Sequence, residues 1–533
     1  MKKLFALLVL LGPIWVMGQK KDKAVVKAAS TITAADMQRH LFTLASAEME
    51  GRDTPSPGLE KAATYIENHF KSLGLLPGNN GSYRQYYPLY KDSMTQASVE
   101  INGSALKLGD HFQPFTSNYN AGMRFSEVVF AGFGIVDGDV RNDYKDLNVA
   151  GKLVLIADGA PADYKPNAGA RPMNAPNSPN AKMNAALSRG AAAILIVQSN
   201  FPRRVSNSVG SWSMNGFKAV QSLFGFYISA DQAASILKTE TAGLVDRFKK
   251  GEIASKTYKA EVVLSYTKET IKTETSNVVG LLEGTDKKDE YVVISSHYDH
   301  VGKRSDGTIY YGADDDGSGT TGNLELAEAF ALAKKEGKGP RRSILFITVS
   351  GEEKGLWGSR YYSEHPIFPL EKTTVDLNID MIGRIGSDYL KDKDSLNYVY
   401  VIGDDKLSTD LAPITDQVNN TYVGMKLDRR YNDPNDPNRF YYRSDHYNFA
   451  DKGVPIIFYF NGVHADYHKP TDTPDKINYP LMAKRAQLVY YTACEMANRN
   501  DMLKRDLKLE IPDRKSTRLN SSHSSVSRMP SSA

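Results

Sequence analysis

The chain of 533 residues has a single cysteine, Cys494. No intramolecular disulfide can form, and neither can a zinc site built from two or more thiolates. Any bound metal must therefore be held by His, Asp and Glu. An excess of one charge sign is also lacking. The 66 Lys and Arg residues stand against 62 Asp and Glu, which is not the footprint of a nucleic-acid binder. Beyond the first residues, no apolar run approaches the ~20 positions that a membrane-spanning helix needs. Hydrophobic residues at 41% and charged residues at 24% exclude global disorder and a multi-span membrane protein. The length suffices for roughly three domains.

The two ends read differently from the rest. Met1–Gly18 joins Lys2 and Lys3 to an apolar stretch that is short, contains Pro13 and meets QKKDK at once. This pattern predicts a secretory signal peptide over residues 1–18, with export to the periplasm or the exterior and no membrane span in the mature chain. No cysteine follows it for lipid attachment. Asp513–Ala533 has no hydrophobic periodicity. Its DRKSTRLNSSH and SRMPSSA portions resemble translated sequencing adapter, and residues 513–533 are treated as foreign to the protein. The net charge of +4 arises within these two ends, and what lies between them is slightly acidic.

Between the ends the texture changes twice. Ala34–Leu75 is helical in pattern: Ala62, Ile66, Phe70 and Leu73 recur at helical spacing and Gly74 supplies a stop. Residues 95–270 read as a separate, strand-rich insert. An Asn102-Gly103 hairpin signal is followed there by the runs SEVVFAGFGIV, GKLVLIADG and AAAILIVQ. From Thr275 onward, apolar strand-like runs alternate with helical stretches. Residues 19–94 and 271–512 are thus expected to form one α/β domain, a mostly parallel sheet with helices on both faces. In such sheets, sites gather at the carboxyl ends of the strands.

The polar clusters fall at those ends. His297 and Asp299 close the run YVVISSHYD, on one side of an extended chain. GADDDGSG then brings Asp314, Asp315 and Asp316 together, carboxylates that repel unless solvated or bound to cations. SGEEKG follows SILFITV with Glu352 and Glu353. One of that pair could bind metal while the other handles protons, a division the pattern leaves open. Asp380 closes VDLNIDM, where a carboxylate is costly unless paired or coordinating. Tyr467 and His468 come just after PIIFYF, and the nearby His464 reads as a loop residue. His and carboxylate donors without cysteine suit zinc in an open, catalytic site.

The order and spacing of HYDHVG, GADDDGSG, SGEEKGLWGS, NIDMIGR and YHKPTDTPD resemble the secreted di-zinc aminopeptidases related to glutamate carboxypeptidase. FAGFGI, GKLVLI and SRGAAAILIV in the insert resemble a protease-associated domain. The resemblance implies two Zn²⁺ ions held by His297, Asp315, Glu353, Asp380 and His468, with Asp315 bridging them through a residue pair whose peptide bond is often cis. It implies Asp299 as the residue orienting His297 and Glu352 as the general base toward a hydroxide between the ions. Tyr467 becomes a donor to the oxyanion and Arg443 a substrate contact. The expected substrates are peptides with a free N-terminus. A carboxypeptidase of the same clan, a one-zinc glutaminyl cyclase and a non-catalytic binding protein are the alternatives, and the full set of ligands and base disfavours the last two.

Overall fold

The computed structural model describes residues 21–166, 175–205, 208–216 and 222–509. The expected signal peptide and the adapter-like tail lie outside the described residues. The chain packs as two units, Met1–Tyr87 with Glu274–Ala533, and Pro88–Thr273. Their boundaries fall inside two long strands, Arg84–Ile101 and Thr257–Leu282.

In the first unit the sheet is built from the portion of β1 (Thr257–Leu282) after Thr273, with β2 (Lys287–His297), β3 (Arg342–Val349), β4 (Thr373–Ile379), β5 (Tyr398–Ile402), β6 (Lys426–Asp428) and β7 (Ile456–Phe460). Their order is β6-β5-β7-β4-β2-β3-β1. The four central strands β7, β4, β2 and β3 run parallel, whereas β5 pairs antiparallel with β7 and β1 with β3. The central strands are apolar and buried along the stretches that both faces cover, as in Ile344–Val349 and Ile456–Phe460. Successive side chains alternate across the sheet: Val292 and Ile294 join one core and Val293 the other. The first core is completed by α1 (Ala34–Leu44), α2 (Pro57–Ser72), α3 (Gly319–Lys335) and α6 (Tyr479–Asn498), through residues such as Leu41, Phe70, Phe330 and Leu488. The second is covered by α4 (Trp357–Glu364) and α5 (His446–Asp451), through Tyr362 and Phe449.

Local chemistry sets the helix ends. The Ser56 side chain accepts the Leu59 N–H, with Pro57 in the first turn of α2. After Leu73 the chain turns at Gly74 with φ +74°, a conformation that costs glycine little. The Thr33 side chain caps α1 in the same way. Among the described residues, no helix is long and apolar enough to cross a membrane.

The second unit repeats the same physics. Strands Ala121–Phe130, Leu153–Ala157, Ala193–Gln198 and Phe224–Ser229 are parallel neighbours in that order. Leu155 and Leu195 face one core, Ile156 and Ile196 the other. The hairpin at Asn102-Gly103 is present, with Glu100 opposite Ala105. The unit also carries the helices Pro179–Leu187, Ala230–Leu237 and Leu244–Lys249, the first of them over the helix-like run AKMNAALSRG.

Candidate metal and active site

Four parallel neighbours deliver the polar residues to one edge of the sheet. His297 is the last residue of β2, Glu352 and Glu353 follow β3, Asp380 follows β4, and His464, Tyr467 and His468 follow β7. Asp315 enters from the turn Ala313–Ser318 that opens α3. That turn is reached through Gly312 at φ +56°, where a Cβ would stand 2.4 Å from both the His300 ring and the Asp315 carbonyl oxygen. Only glycine fits there. The Asp315–Asp316 peptide bond is cis.

The two oxygens of Asp315 look toward different partners. Oδ1 is 3.3 Å from His297 Nε2, which in turn is 3.7 Å from Asp380 Oδ1. Oδ2 is 2.9 Å from His468 Nε2, which is 3.1 Å from Glu353 Oε1. Glu352 stands at the margin, its Oε2 4.0 Å from His297 Nε2. Tyr467 stacks on the His468 ring with centroids 3.9 Å apart. Arg443 and Tyr467 join Asp315, Glu352 and Asp380 around a cleft whose apolar wall is Met381, Phe440, Phe458, Phe460 and Val463. Every site residue expected from the sequence is therefore at or beside one centre.

Asp299 differs in detail from its expected part. The atom nearest His297 Nδ1 is the Asp299 backbone carbonyl oxygen, at 3.1 Å, whereas its carboxylate lies 3.6 Å away and accepts the Glu352 N–H at 3.1 Å. A carbonyl on Nδ1 leaves Nε2 as the free donor atom. Two histidines were missed. His300 is fully buried, with Nδ1 2.9 Å from Glu353 Oε1 and 3.8 Å from Asp315 Oδ2. Its signal was the second His of HYDH, three positions after His297. His464, expected in a loop, is buried with Nε2 3.1 Å from Asp314 Oδ2. No local pattern announces that pairing, because the partners are far apart in the chain.

The three adjacent aspartates have separate parts. Asp314 is held by the Gly383 N–H, the Ser318 hydroxyl and the Asn461 amide. Asp316 accepts the N–H groups of His297, Gly319 and Met381 and so ties β2, α3 and the end of β4 together. Asp315 keeps its Oδ2 without a hydrogen bond. Asp472 supports the turn by accepting the Asp314 and Asp315 N–H groups. Ser444 fixes Asp380 with a hydroxyl 2.6 Å from Oδ2.

The electrostatics call for added positive charge. Burial, reinforced by Glu353, Asp445 and Asp380 against the pull of His297, pushes Glu352 well above the usual carboxylate range. Burial works against ionised Asp315, yet the neighbouring His297 and His468 hold it well below that range. His468 would be made neutral by burial, but Glu353 and Asp315 raise it to about 11. Burial pushes the Tyr467 phenol well above its ordinary value, and Asp315 and Glu353 add to this, so its hydroxyl keeps the proton. His297 Nε2, both ring nitrogens of His300, Asp315 Oδ2 and Glu353 Oε1 are buried without a hydrogen bond. Such orphaned atoms are costly unless something else satisfies them. Converging imidazole and carboxylate donors fit divalent zinc.

The chain is similar to several known proteins. Residues 277–493 match the model of peptidase family M28. A protein of Arabidopsis thaliana named "Probable glutamate carboxypeptidase" is 33% identical over 155 residues, covering 29% of this chain and 21% of that protein. A "Probable leucine aminopeptidase" of Trichophyton verrucosum is 28% identical over 218 residues, 40% of this chain and 55% of that protein. The match thus spans about a fifth of the plant relative and about half of the fungal one. Among solved structures, an aminopeptidase from Aneurinibacillus sp. strain AM-1 is similar with 19% identity and a TM-score of 0.49, over 91% of this chain and 99% of that one.

Proposed function

With residues 277–493 matching peptidase family M28, we propose that the chain is a zinc-dependent exopeptidase that removes the N-terminal residue from peptides. The observation that carries this is the division of Asp315, one oxygen toward His297 and Asp380 and the other toward His468 and Glu353. Two zinc ions would be held there, one by each set, with Asp315 shared. When bound, they supply Lewis acidity that polarises the scissile carbonyl and makes water acidic enough to attack near neutral pH.

The protein's own groups do the rest. Glu352 accepts the proton from the attacking water and later passes it to the leaving amine, a task suited to a carboxylate whose proton affinity has been raised. The Tyr467 hydroxyl, kept protonated, donates to the carbonyl oxygen as negative charge develops on it. Asp299 holds the Glu352 backbone and the His297 ring in place. The aromatic wall of Phe440, Phe458 and Phe460 receives an apolar side chain of the substrate.

A second reading has one observation in its favour. Arg443 faces the same cleft, and its guanidinium rests over the Phe440 ring at 5.0 Å. A cation there suits the free carboxylate of a carboxypeptidase substrate. A panel of aminoacyl-nitroanilides and N-blocked peptides, assayed with chelator and with added Zn²⁺, separates the readings. Zinc-restored cleavage of free-amine substrates supports the aminopeptidase. Cleavage confined to N-blocked peptides with free carboxylates replaces it with the carboxypeptidase, and full activity in chelator overturns both. Export through residues 1–18 and a protease-associated role for the insert belong to the same proposal.

A further inference from the structure

A second cluster of metal-type donors lies away from the strand ends, between α1, α2 and α3. His40 comes from α1, His69 from α2, and Glu325 and Glu328 from α3. One donor atom each of His40, His69 and Glu328 lies within 4.8 Å of the other two. The His40 and His69 rings meet edge to face with centroids 4.7 Å apart. Glu325 Oε1 is 3.6 Å from His40 Nε2.

Two features point to a missing partner. Glu325 is 2% exposed, and its Oε1 and the His69 Nε2 are buried without a hydrogen bond. Leaving such atoms unsatisfied between packed helices is expensive. His40 is also prepared as a ligand. Its Nδ1 is 2.8 Å from the Tyr65 hydroxyl, an outer contact that fixes the ring and leaves Nε2 for a metal.

We propose that His40, His69, Glu325 and Glu328 form a structural zinc site that staples α1 and α2 to α3. His40, His69 and Glu328 already converge, and Glu325, 3.6 Å from His40 Nε2, would supply the fourth donor of a closed site. The staple acts on a catalytically important helix, because α3 starts directly after the turn that carries Asp315. The spacing of three between Glu325 and Glu328 puts both carboxylates on one face of α3, and α1 and α2 both pack on that helix.

The full-length protein, equilibrated with Zn²⁺ and freed of loose metal, tests this. Metal analysis should find about one ion per chain fewer in His69→Asn than in the wild type, as expected for loss of one discrete site. Hydrolysis of a small nitroanilide by the variant should stay within about twofold, and its thermal midpoint should fall. Equal zinc content in the two proteins overturns the proposal. Should His69→Asn fail to fold, anomalous scattering at the zinc edge from wild-type crystals decides the matter. Density between His40 and His69 supports the staple, whether or not the strand-end centre is also occupied. Density at the strand-end centre alone overturns it, and its absence there counts separately against the exopeptidase proposal.

Discussion

Two sets of parallel strands in one chain have been put to different uses. In the unit formed by Met1–Tyr87 and Glu274–Ala533, the carboxyl ends of β2, β3, β4 and β7 bring imidazoles and carboxylates to a common point. In Pro88–Thr273, the corresponding ends are tied off. There the buried Lys182 donates to the Ala157 and Gly159 carbonyls, and Gln198 donates to Asp158 at 2.8 Å. Among the described residues, no metal-type cluster lies in that unit. Both sets have the alternating, doubly covered strands that parallel pairing demands. Architecture therefore provides an edge on which chemistry can be placed, and the side chains at the strand ends provide the chemistry.

That contrast can be attacked at graded cost. The largest effect is expected from Glu352→Gln, which keeps the shape and removes the proton acceptor. Turnover should fall by about 10²–10⁴-fold while zinc content, read by metal analysis, stays at the wild-type level. Turnover close to wild type would show that the active edge does not depend on this base.

A middle effect is expected from Arg52→Met. The Arg52 guanidinium is 1% exposed and donates to the carbonyls of Leu44, Tyr298, Tyr311 and Gly312. It thereby ties the end of α1 and the segment after β2 to the entry of the acidic turn and sets a positive charge near Asp299, Asp315 and Asp316. Removing it strands four carbonyls and leaves the buried carboxylates with less compensation. A loss of about 3–5 kcal/mol, measured by denaturant unfolding, is the expected outcome, and a change below about 1 kcal/mol would be incompatible with the clamp.

The smallest effect is expected from Lys182→Met in the other unit. Losing the donor to two carbonyls should cost about 1–3 kcal/mol locally. Hydrogen exchange along Leu153–Ala157 reads this, while cleavage of a small nitroanilide should be unchanged. A large fall in that cleavage would mean that the second set of strands contributes to the chemistry after all, and the contrast would have to be abandoned.

Much of this was legible in one dimension. The alternation of apolar residues, the capping residues Thr33 and Ser56 and the stop at Gly74 act within a few positions, so their consequences can be read along the chain. The motif order placed His297, Asp315, Glu352, Glu353, Asp380 and His468 at strand ends, and the structure gathers all six. The assignments that failed concern partners separated by long stretches of chain. His464 does lie in a loop, but its buried pairing with Asp314, 150 positions away, has no local signal. His300 was passed over because its contacts with Glu353 and Asp315 depend on how the turn after β2 folds back past Gly312.

The sequence by itself determined the kinds of donor available. One cysteine left only imidazole and carboxylate, and the strand-like runs determined that those donors would sit at the ends of a covered sheet. Tertiary structure alone decided the division of labour among Asp314, Asp315 and Asp316. Neighbours in sequence and alike in chemistry, they differ only in which N–H groups reach them: three occupy Asp316, while Asp315 keeps Oδ2 free of hydrogen bonds. Tertiary structure likewise decided that His40, His69 and Glu328 meet. Helical periodicity states which face of a helix a residue occupies, but the packing of three helices determines what that face meets.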